Sequence, residues 1–263
     1  MKIPSPILLR LLCGFLLSGA YSVLCFAGPP PIDPMKSVMW EIMHKTVLHS
    51  EKVVFDDAVL VDLPRQVEDG HQVPVTVNAE AVGAVSEILI FADYNPIPRA
   101  IRFEPLHVKP WLATTIKVNQ ATPIRAAARD KNGVWHINGH WIDAPGGGCA
   151  LPSSSRSQTD WNTMLGHMQG RIWQEENGGG LRFRVRIMHP MDTGLVSQVP
   201  QFNLQTLQIW DDQGQSIARL TVEASVAENP IFTLRKAPSS LNGLRVEGQD
   251  TDGNLYQARL PLL

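Results

Sequence analysis

The sequence predicts an all-β fold: two antiparallel β-sandwich domains joined by a Gly/Ser-rich, cysteine-bearing linker, with a short helix before each. Three observations carry this. Apolar residues recur with a period of two in two long series, one on each side of the middle of the chain. The series are broken by Asp/Asn-Gly turn chemistry, as at Asn132-Gly133, Asp211-Asp-Gln-Gly214 and Asp250-Thr-Asp-Gly253. Between them lies Asp143-Ala-Pro-Gly-Gly-Gly-Cys149, followed by a serine-rich stretch to Gln158. The 263 residues suffice for one large or two ordinary domains, and 44% hydrophobic with 18% charged residues is ordinary for a protein with a buried core. A formal net charge of −2 gives no reason to expect a nucleic acid or an anionic membrane as partner.

The N-terminus reads as a secretory signal peptide over residues 1–27. Lys2 and Arg10 flank the start of the apolar run Leu11-Leu-Cys-Gly-Phe-Leu-Leu17, and Ala27 is the expected last residue before cleavage. No membrane span is expected, because the run is short and interrupted by Gly and Ser. This implies the periplasm. Cys13 and Cys25 fall within the signal, with a lipoprotein attachment at Cys25 disfavoured by the bulky Leu24 before it. The mature chain then keeps one cysteine, Cys149, in an oxidising compartment where it has no internal disulfide partner.

The first domain is expected over 28–145. A helix is predicted from Pro34 to His49, where Met35, Met39 and Met43 are spaced four apart beside Val38 and Ile42. From Phe55 the period becomes two: Val59, Val61 and Leu63, then Val73, Val75 and Val77, then Ile88, Ile90 and Ala92. Ile101 and Phe103 follow, then Ile116 and Val118. The segments Ile124–Asp130 and Val134–Ile137 flank Asn132-Gly133 as a hairpin. Residues 146–160 form the linker. The second domain, 161–263, is expected to begin with a helix from Trp161 to Glu175. Strands are expected around Phe183–Ile187, Phe202–Ile209, Leu220–Val222, Ile231–Leu234, Leu244–Val246 and Leu255–Leu260.

Cys149 is the leading functional candidate. Three consecutive glycines, Gly146, Gly147 and Gly148, predict a flexible tether holding an exposed thiol, with an ordinary interdomain linker as the plain alternative. No cation is evident nearby in sequence, so the expected thiol pKa is the ordinary one, about 8.5. Other candidates are sparser. The stripe Met35, Met39 and Met43 with His44 offers thioethers to Cu(I), or simply packs a core. His136 and His140 with Cys149 match no recognised metal spacing, and Met188-His-Pro-Met191 is readable as a copper or a structural motif. A thiol enzyme lacks a defined base and oxyanion donor in the sequence. No catalytic residue, metal or separate cofactor is therefore expected.

Two blocks carry a family resemblance. Asp69-Gly-His-Gln-Val-Pro-Val-Thr-Val77, with Ile90-Phe-Ala-Asp-Tyr-Asn-Pro96 and Gly-Gly-Gly-Cys149, resembles the sulfur-carrier subunit SoxY. Phe183-Arg-Val-Arg-Ile-Met-His-Pro-Met-Asp-Thr-Gly194, with Glu228-Asn-Pro-Ile-Phe232, is similar to its partner subunit SoxZ. Their order in one chain resembles the fused SoxYZ-like carriers associated with quinoprotein (PQQ) dehydrogenases. The resemblance implies immunoglobulin-like sandwiches and a periplasmic, non-enzymatic carrier. Its cargo is a sulfur-bearing intermediate held covalently on Cys149, with Gly146, Gly147 and Gly148 as the arm. Implied partners are sulfur-oxidation, including thiosulfate-oxidation, or quinoprotein dehydrogenase-system proteins, with the chain a monomer or homodimer. The alternative is a non-carrier accessory or copper-binding protein for such a dehydrogenase. One departure is plain: in the two-subunit carriers the arm ends the chain, whereas here Ala150-Leu-Pro152 follows and the arm is tethered at both ends.

Overall fold

Alternating apolar residues bury one face of a strand, and in this chain they do so against a second sheet. The structure, a computed structural model, describes residues 29–157, 160–176 and 179–261. The expected signal peptide, with Cys13 and Cys25, lies outside the described residues. The first half contains helix α1 (Trp40–Thr46) and strands β1 (Val53–Phe55), β2 (Leu60–Asp62), β3 (Val73–Asn78), β4 (Val85–Ala92), β5 (Arg99–Glu104), β6 (Trp111–Ile116), β7 (Thr122–Asp130) and β8 (Trp135–Ile142). The second contains the single turn α2 (Trp161–Met164) and strands β9 (Met168–Gln174), β10 (Leu181–Ile187), β11 (Leu204–Asp211), β12 (Ser216–Val222), β13 (Ile231–Lys236), β14 (Gly243–Asp250) and β15 (Leu255–Pro261).

The antiparallel β-sandwich architecture is present in both halves, and the halves are also joined edge to edge. One sheet has nine strands in the order β1-β8-β7-β4-β5-β12-β11-β14-β15, and the other six, β2-β3-β6-β13-β10-β9. The seam is crossed twice: β5 pairs antiparallel with β12, placing Ile101 opposite Val222, and β6 with β13, placing Leu112 opposite Leu234. Open strand edges that would otherwise need protection are thus consumed inside the molecule. A single apolar core runs through both halves, from Val75, Ile90 and Phe103 to Phe183, Ile209 and Phe232. The linker connects two halves of one continuous double sheet.

A second, smaller core covers the outer face of the nine-stranded sheet in the first half. Trp40, Met43, Val47 and Leu48 pack there on Leu89, Phe91, Ala127 and Ile137. The helix spans Trp40–Thr46 and falls short of the Pro34–His49 expected, for local reasons. Lys36 at its N-terminal side and His49 and Ser50 at its C-terminal side take positive φ of 54°, 53° and 58°. Asp33 instead caps a turn, accepting the amides of Met35 and Ser37. The second expected helix is mostly a strand: α2 stops at Met164, Gly166 takes φ +73°, and β9 follows from Met168. Met168 and Ile172 are buried on alternate positions, and β9 pairs antiparallel along the whole of β10. Strand β1, which pairs parallel with β8, lacked an alternation long enough to find.

Three hairpins use one device. Asp130, Asp211 and Asp250 each accept the amides two and four residues on, and Gly133, Gly214 and Gly253 supply φ of +78°, +80° and +83°.

The first half is knotted by an ion triad at its centre. The fully buried Arg125 guanidinium donates to Asp33 at 2.9 and 2.7 Å and to Asp93 at 2.9 and 2.9 Å, with its face on the Trp40 ring. This ties the N-terminal segment, the turn after β4 and strand β7 together. Removing one partner leaves buried charge uncompensated, which is costlier than the pair is worth. Arg125→Met is expected to destabilise the protein by ~3–5 kcal/mol in urea denaturation; a loss below ~1 kcal/mol would mean that the two aspartates find other partners.

Candidate functional site

The chain after β6 does not continue as a strand. It turns along the seam, and Asn95 is what holds it there. Asn95 Nδ2 donates to Lys117 O at 2.7 Å, and its Oδ1 accepts the Asn119 amide at 2.9 Å. On the other side the Val118 amide donates to Gly70 O and the Lys117 amide to Ser225 O, each at 2.7 Å. Asn95 and Gly70 belong to the two quoted blocks of the first half. Both therefore fix residues 117–119, and that segment in turn is the floor on which the glycine arm lies.

The arm is docked. The Gly147 amide donates to Asn119 O at 3.0 Å, with Gly147 at φ +94°. Gly148 lies so close to this floor that a Cβ there would be 2.3 Å from both Gly70 O and Val118 O. Glycine is needed at 148 for close approach, not for freedom. Gly146 is exposed and Gly147 half-buried, while Gly148 and Cys149 are buried, Cys149 at 0% exposure. The expectation of an exposed, mobile thiol is corrected: the arm sits in a groove whose walls come from both halves, which sequence separation conceals.

The second half supplies the clasp. Thr193 Oγ1 donates to Cys149 O at 2.7 Å. Downstream, Ser153, Ser154 and Ser155 all donate hydroxyl bonds to the Glu228 carboxylate, and Arg156 Nε meets Asp192 Oδ2 at 2.5 Å. Burial penalises the Glu228 carboxylate, but these hydroxyls and the Ser155 amide outweigh it and hold its pKa below the usual value. The Ser-rich stretch through Ser157 is thus a latch and not a loose tether. The motifs Met188–Gly194 and Glu228-Asn229 converge on it, with Asn229 Nδ2 on Ser155 Oγ at 3.1 Å.

Lys117 stands beside the thiol. Its side chain is buried, and Nζ donates to the carbonyls of Met191 and, at 3.0 Å, Ala224. Burial pushes the Lys117 ammonium down to about 8, opposed by Cys149 when it is a thiolate and by the carboxylates of Asp192 and Glu228. Burial pushes the Cys149 thiol up to about 11, with Lys117 acting the other way. A cation is therefore close after all, but desolvation dominates and the resting group is a neutral thiol. A cavity of about 290 Å³ opens beside Lys117, lined also by Asp69, His71, Leu151, Ser153 and Glu228; Cys149 is not part of its lining.

The remaining candidates do not assemble. Met43 and His44 are buried, Met39 packs against the outer core, and Met35 lies outside the helix. His44 Nε2 is bonded to Glu51 O at 2.9 Å. His136 pairs with Asp56 at 2.6 Å and His140 is exposed. Among the described residues, no three His, Cys, Asp or Glu side chains form a metal-binding group. Met191 is structural: Sδ lies 3.4 Å from the Leu204 amide, and its carbonyl serves Lys117. Lys117, Asn95, Thr193 and Glu228 escaped sequence reasoning as site residues. Asn95, Thr193 and Glu228 stood in quoted blocks with no role assigned to them, and Lys117 between Ile116 and Val118 looked like an outward strand position.

His189 completes the seam. Its Nδ1 accepts the Met191 amide at 3.1 Å, and Nε2 lies 3.7 Å from Asp250. Burial pulls its pKa down to about 4 against the pull of Asp250.

With the known proteins the chain compares as follows. A family profile described as SoxY, "Sulfur oxidation protein SoxY", matches residues 44–149, so the match ends on Cys149 itself. Among solved structures, the sulfur carrier protein SoxY from Chlorobium limicola f thiosulfatophilum is similar over 41% of this chain and 96% of that chain, at 18% identity and a TM-score of 0.37. No curated protein matches the chain.

Two outcomes are expected. In the unfolded chain His189 binds its proton near pH 6.5, and in the folded protein only near 4, so its stabilisation is complete above 6.5 and lost as pH falls towards 4. That is a loss of ~3 kcal/mol by urea denaturation, smaller in His189→Gln. At pH 8 the native Cys149 thiol should react with iodoacetamide on the order of 100-fold more slowly than in the urea-unfolded chain. Gly148→Ala, which cannot dock, should recover at least ~10-fold of that rate; an unchanged rate would contradict the docked arm.

Proposed function

We propose that this chain, whose residues 44–149 match the SoxY family profile, is a periplasmic carrier that holds a sulfur-bearing intermediate covalently on Cys149 and presents it to partner enzymes. The family match supports sulfur carriage in sulfur oxidation, and its termination at Cys149 is the observation that carries the residue assignment. In this reading the chain is a carrier and not an enzyme. Its partners are sulfur-oxidation proteins or those of a quinoprotein dehydrogenase system. Residues 28–145 act as the SoxY-like unit, 146–160 as arm and linker, and 161–263 as a SoxZ-like unit that clasps the arm.

The buried thiol favours a two-state cycle. The docked arm shields the sulfur from water and stray oxidants, and loading requires it to lift. The interactions to be broken are few: the Gly147 amide on Asn119, Thr193 on Cys149 O, and burial of the Cys149 side chain. Such small openings occur well below the cost of global unfolding. Gly146 and Gly147 have space around them and serve as the upstream hinge, while the serine latch on Glu228 is the downstream anchor. The seven residues 146–152 between these anchors project by about half their extended length, roughly 12 Å. A partner's reactive group must therefore lie near its surface, or the partner must release the latch.

Intact mass of the protein from its native periplasm, purified without reductant, should show a reducible addition mapping to Cys149. Cys149→Ser should lose that addition and all carrier function while its thermal stability stays within a few degrees of the parent. A free, unmodified thiol under conditions of expression would remove this reading. Glu228→Ala should raise the alkylation rate of Cys149 by releasing the downstream anchor, without changing the mass added by cargo.

A further inference from the structure

The outer face of the six-stranded sheet carries charge of one sign at its β9 and β10 end. Directly opposite residues of an antiparallel pair share a face, so Gln169, Arg171 and Trp173 of β9 stand beside Arg186, Arg184 and Arg182 of β10. Their inward neighbours Ile172, Phe183 and Val185 are buried in the core. Arg171, Arg184 and Arg186 are exposed. Arg182 is half-buried, its guanidinium over the Trp111 and Trp173 rings at 5.4 and 5.9 Å.

Elsewhere on the sheets arginine is matched. Arg99 meets Glu223 at 2.6 Å, Arg102 meets Glu87 at 2.6 Å and Arg219 meets Glu104 at 3.2 Å, all on the nine-stranded sheet. Among the described residues none of the four arginines on β9 and β10 forms an ion pair. Glu175 and Glu80, at the Trp111 end of the face, are engaged by Arg235 at 2.7 Å and Lys109 at 3.2 Å. Arg171 and Arg184 lie directly opposite each other, an arrangement that costs stability. Protection of an open edge does not account for the row, because three of the four stand on β10, which is paired on both sides. A surface kept only for solubility mixes the two signs. Here the cations are segregated on a chain whose formal net charge is −2.

An acidic protein surface fits such a face. Arg182 and Arg186 are four residues apart on one strand, roughly 13 Å at the strand rise, which is too long a row for one small oxoanion. Guanidinium forks match carboxylates bidentately, and tryptophan and arginine are enriched where protein partners meet. Arg184 Nε donates to Thr233 Oγ1 at 3.2 Å, which holds this side chain along the sheet. A depression of about 590 Å³ among Arg171, Trp173, Arg184 and Arg186 leaves room for a side chain of the occupant. We propose that the outer face of β9 and β10 docks an acidic surface of a partner protein. It rests on the carrier reading for what that partner is, an enzyme that loads or unloads the arm, and it gives the second half a role besides clasping the arm.

The test measures binding of a fluorescein-labelled oligoglutamate peptide by anisotropy, at low and at physiological ionic strength. The wild-type protein should bind, and more weakly as salt rises. Arg171→Glu with Arg184→Glu should weaken binding by at least ~10-fold. Lys45→Glu with Lys131→Glu makes the same change in net charge at exposed sites of the first half, and should stay within ~3-fold of wild type. Arg171→Glu alone sets a carboxylate opposite Arg184, so it should melt no lower than wild type and still bind more weakly. No binding at low ionic strength, or equal weakening in the two double variants, overturns the proposal. Displacement of the peptide by inorganic sulfate at equal charge concentration overturns it in favour of a small-anion site. A dimer of the protein alone that Arg171→Glu with Arg184→Glu dissolves assigns the face to a second copy instead. A lower melting temperature of Arg171→Glu with unchanged binding makes the row structural. Cys149→Ser should bind the peptide as the wild type does, so absence of a native adduct on Cys149 bears on the carrier reading alone.

Discussion

An ammonium buried between two halves of one chain is the constraint on which the rest of this structure depends. Lys117 reaches out of the first half and donates to Met191 O and Ala224 O in the second. Its backbone is pinned from both sides, by Asn95 and by Ser225. The loop at Met191 can then offer Thr193 to the cysteine carbonyl, and the segment 117–119 becomes a floor for the arm. A charge so placed costs free energy that hydrophobic burial along the seam offsets.

The geometry also shows why the two halves belong together. Each sheet crosses the seam by a strand pair, β5 with β12 and β6 with β13, so the groove for the arm is rigid on both walls. A glycine arm lying free would present its sulfur to any oxidant. Here three glycines divide the work: Gly148 allows contact with the floor, while Gly146 and Gly147 leave room to hinge. The serines that follow are held on Glu228, which converts a linker into a second anchor and limits how far the sulfur can travel.

Much of the fold was legible. The alternation at Val73-Val75-Val77, Ile88-Ile90 and Phe183-Val185-Ile187 marks strands that are strands, and the Asp-led glycine turns mark hairpins that are hairpins. The helix expected over Trp161–Glu175 failed because Met168, Ile172 and Trp173 satisfy a helical pattern about as well as an alternating one. Pairing with β10 decided between them, and that is a non-local contact. Of the site, Cys149 and its glycines were visible as residue types. Their burial was not, since flexible composition and close packing both call for glycine.

By itself the sequence determined the β class, the strand and turn positions, and a lone cysteine placed after three glycines. It also held every motif that builds the groove. Only the tertiary structure decided that those motifs meet. Asn95, Lys117, Met191, Thr193 and Glu228 are spread over more than a hundred residues, and their convergence follows from sheet pairing across the seam. The environment of a thiol is set by what is packed around it, and desolvation, which pushes Cys149 up to about 11, is a property of the closed groove and of no local stretch of chain.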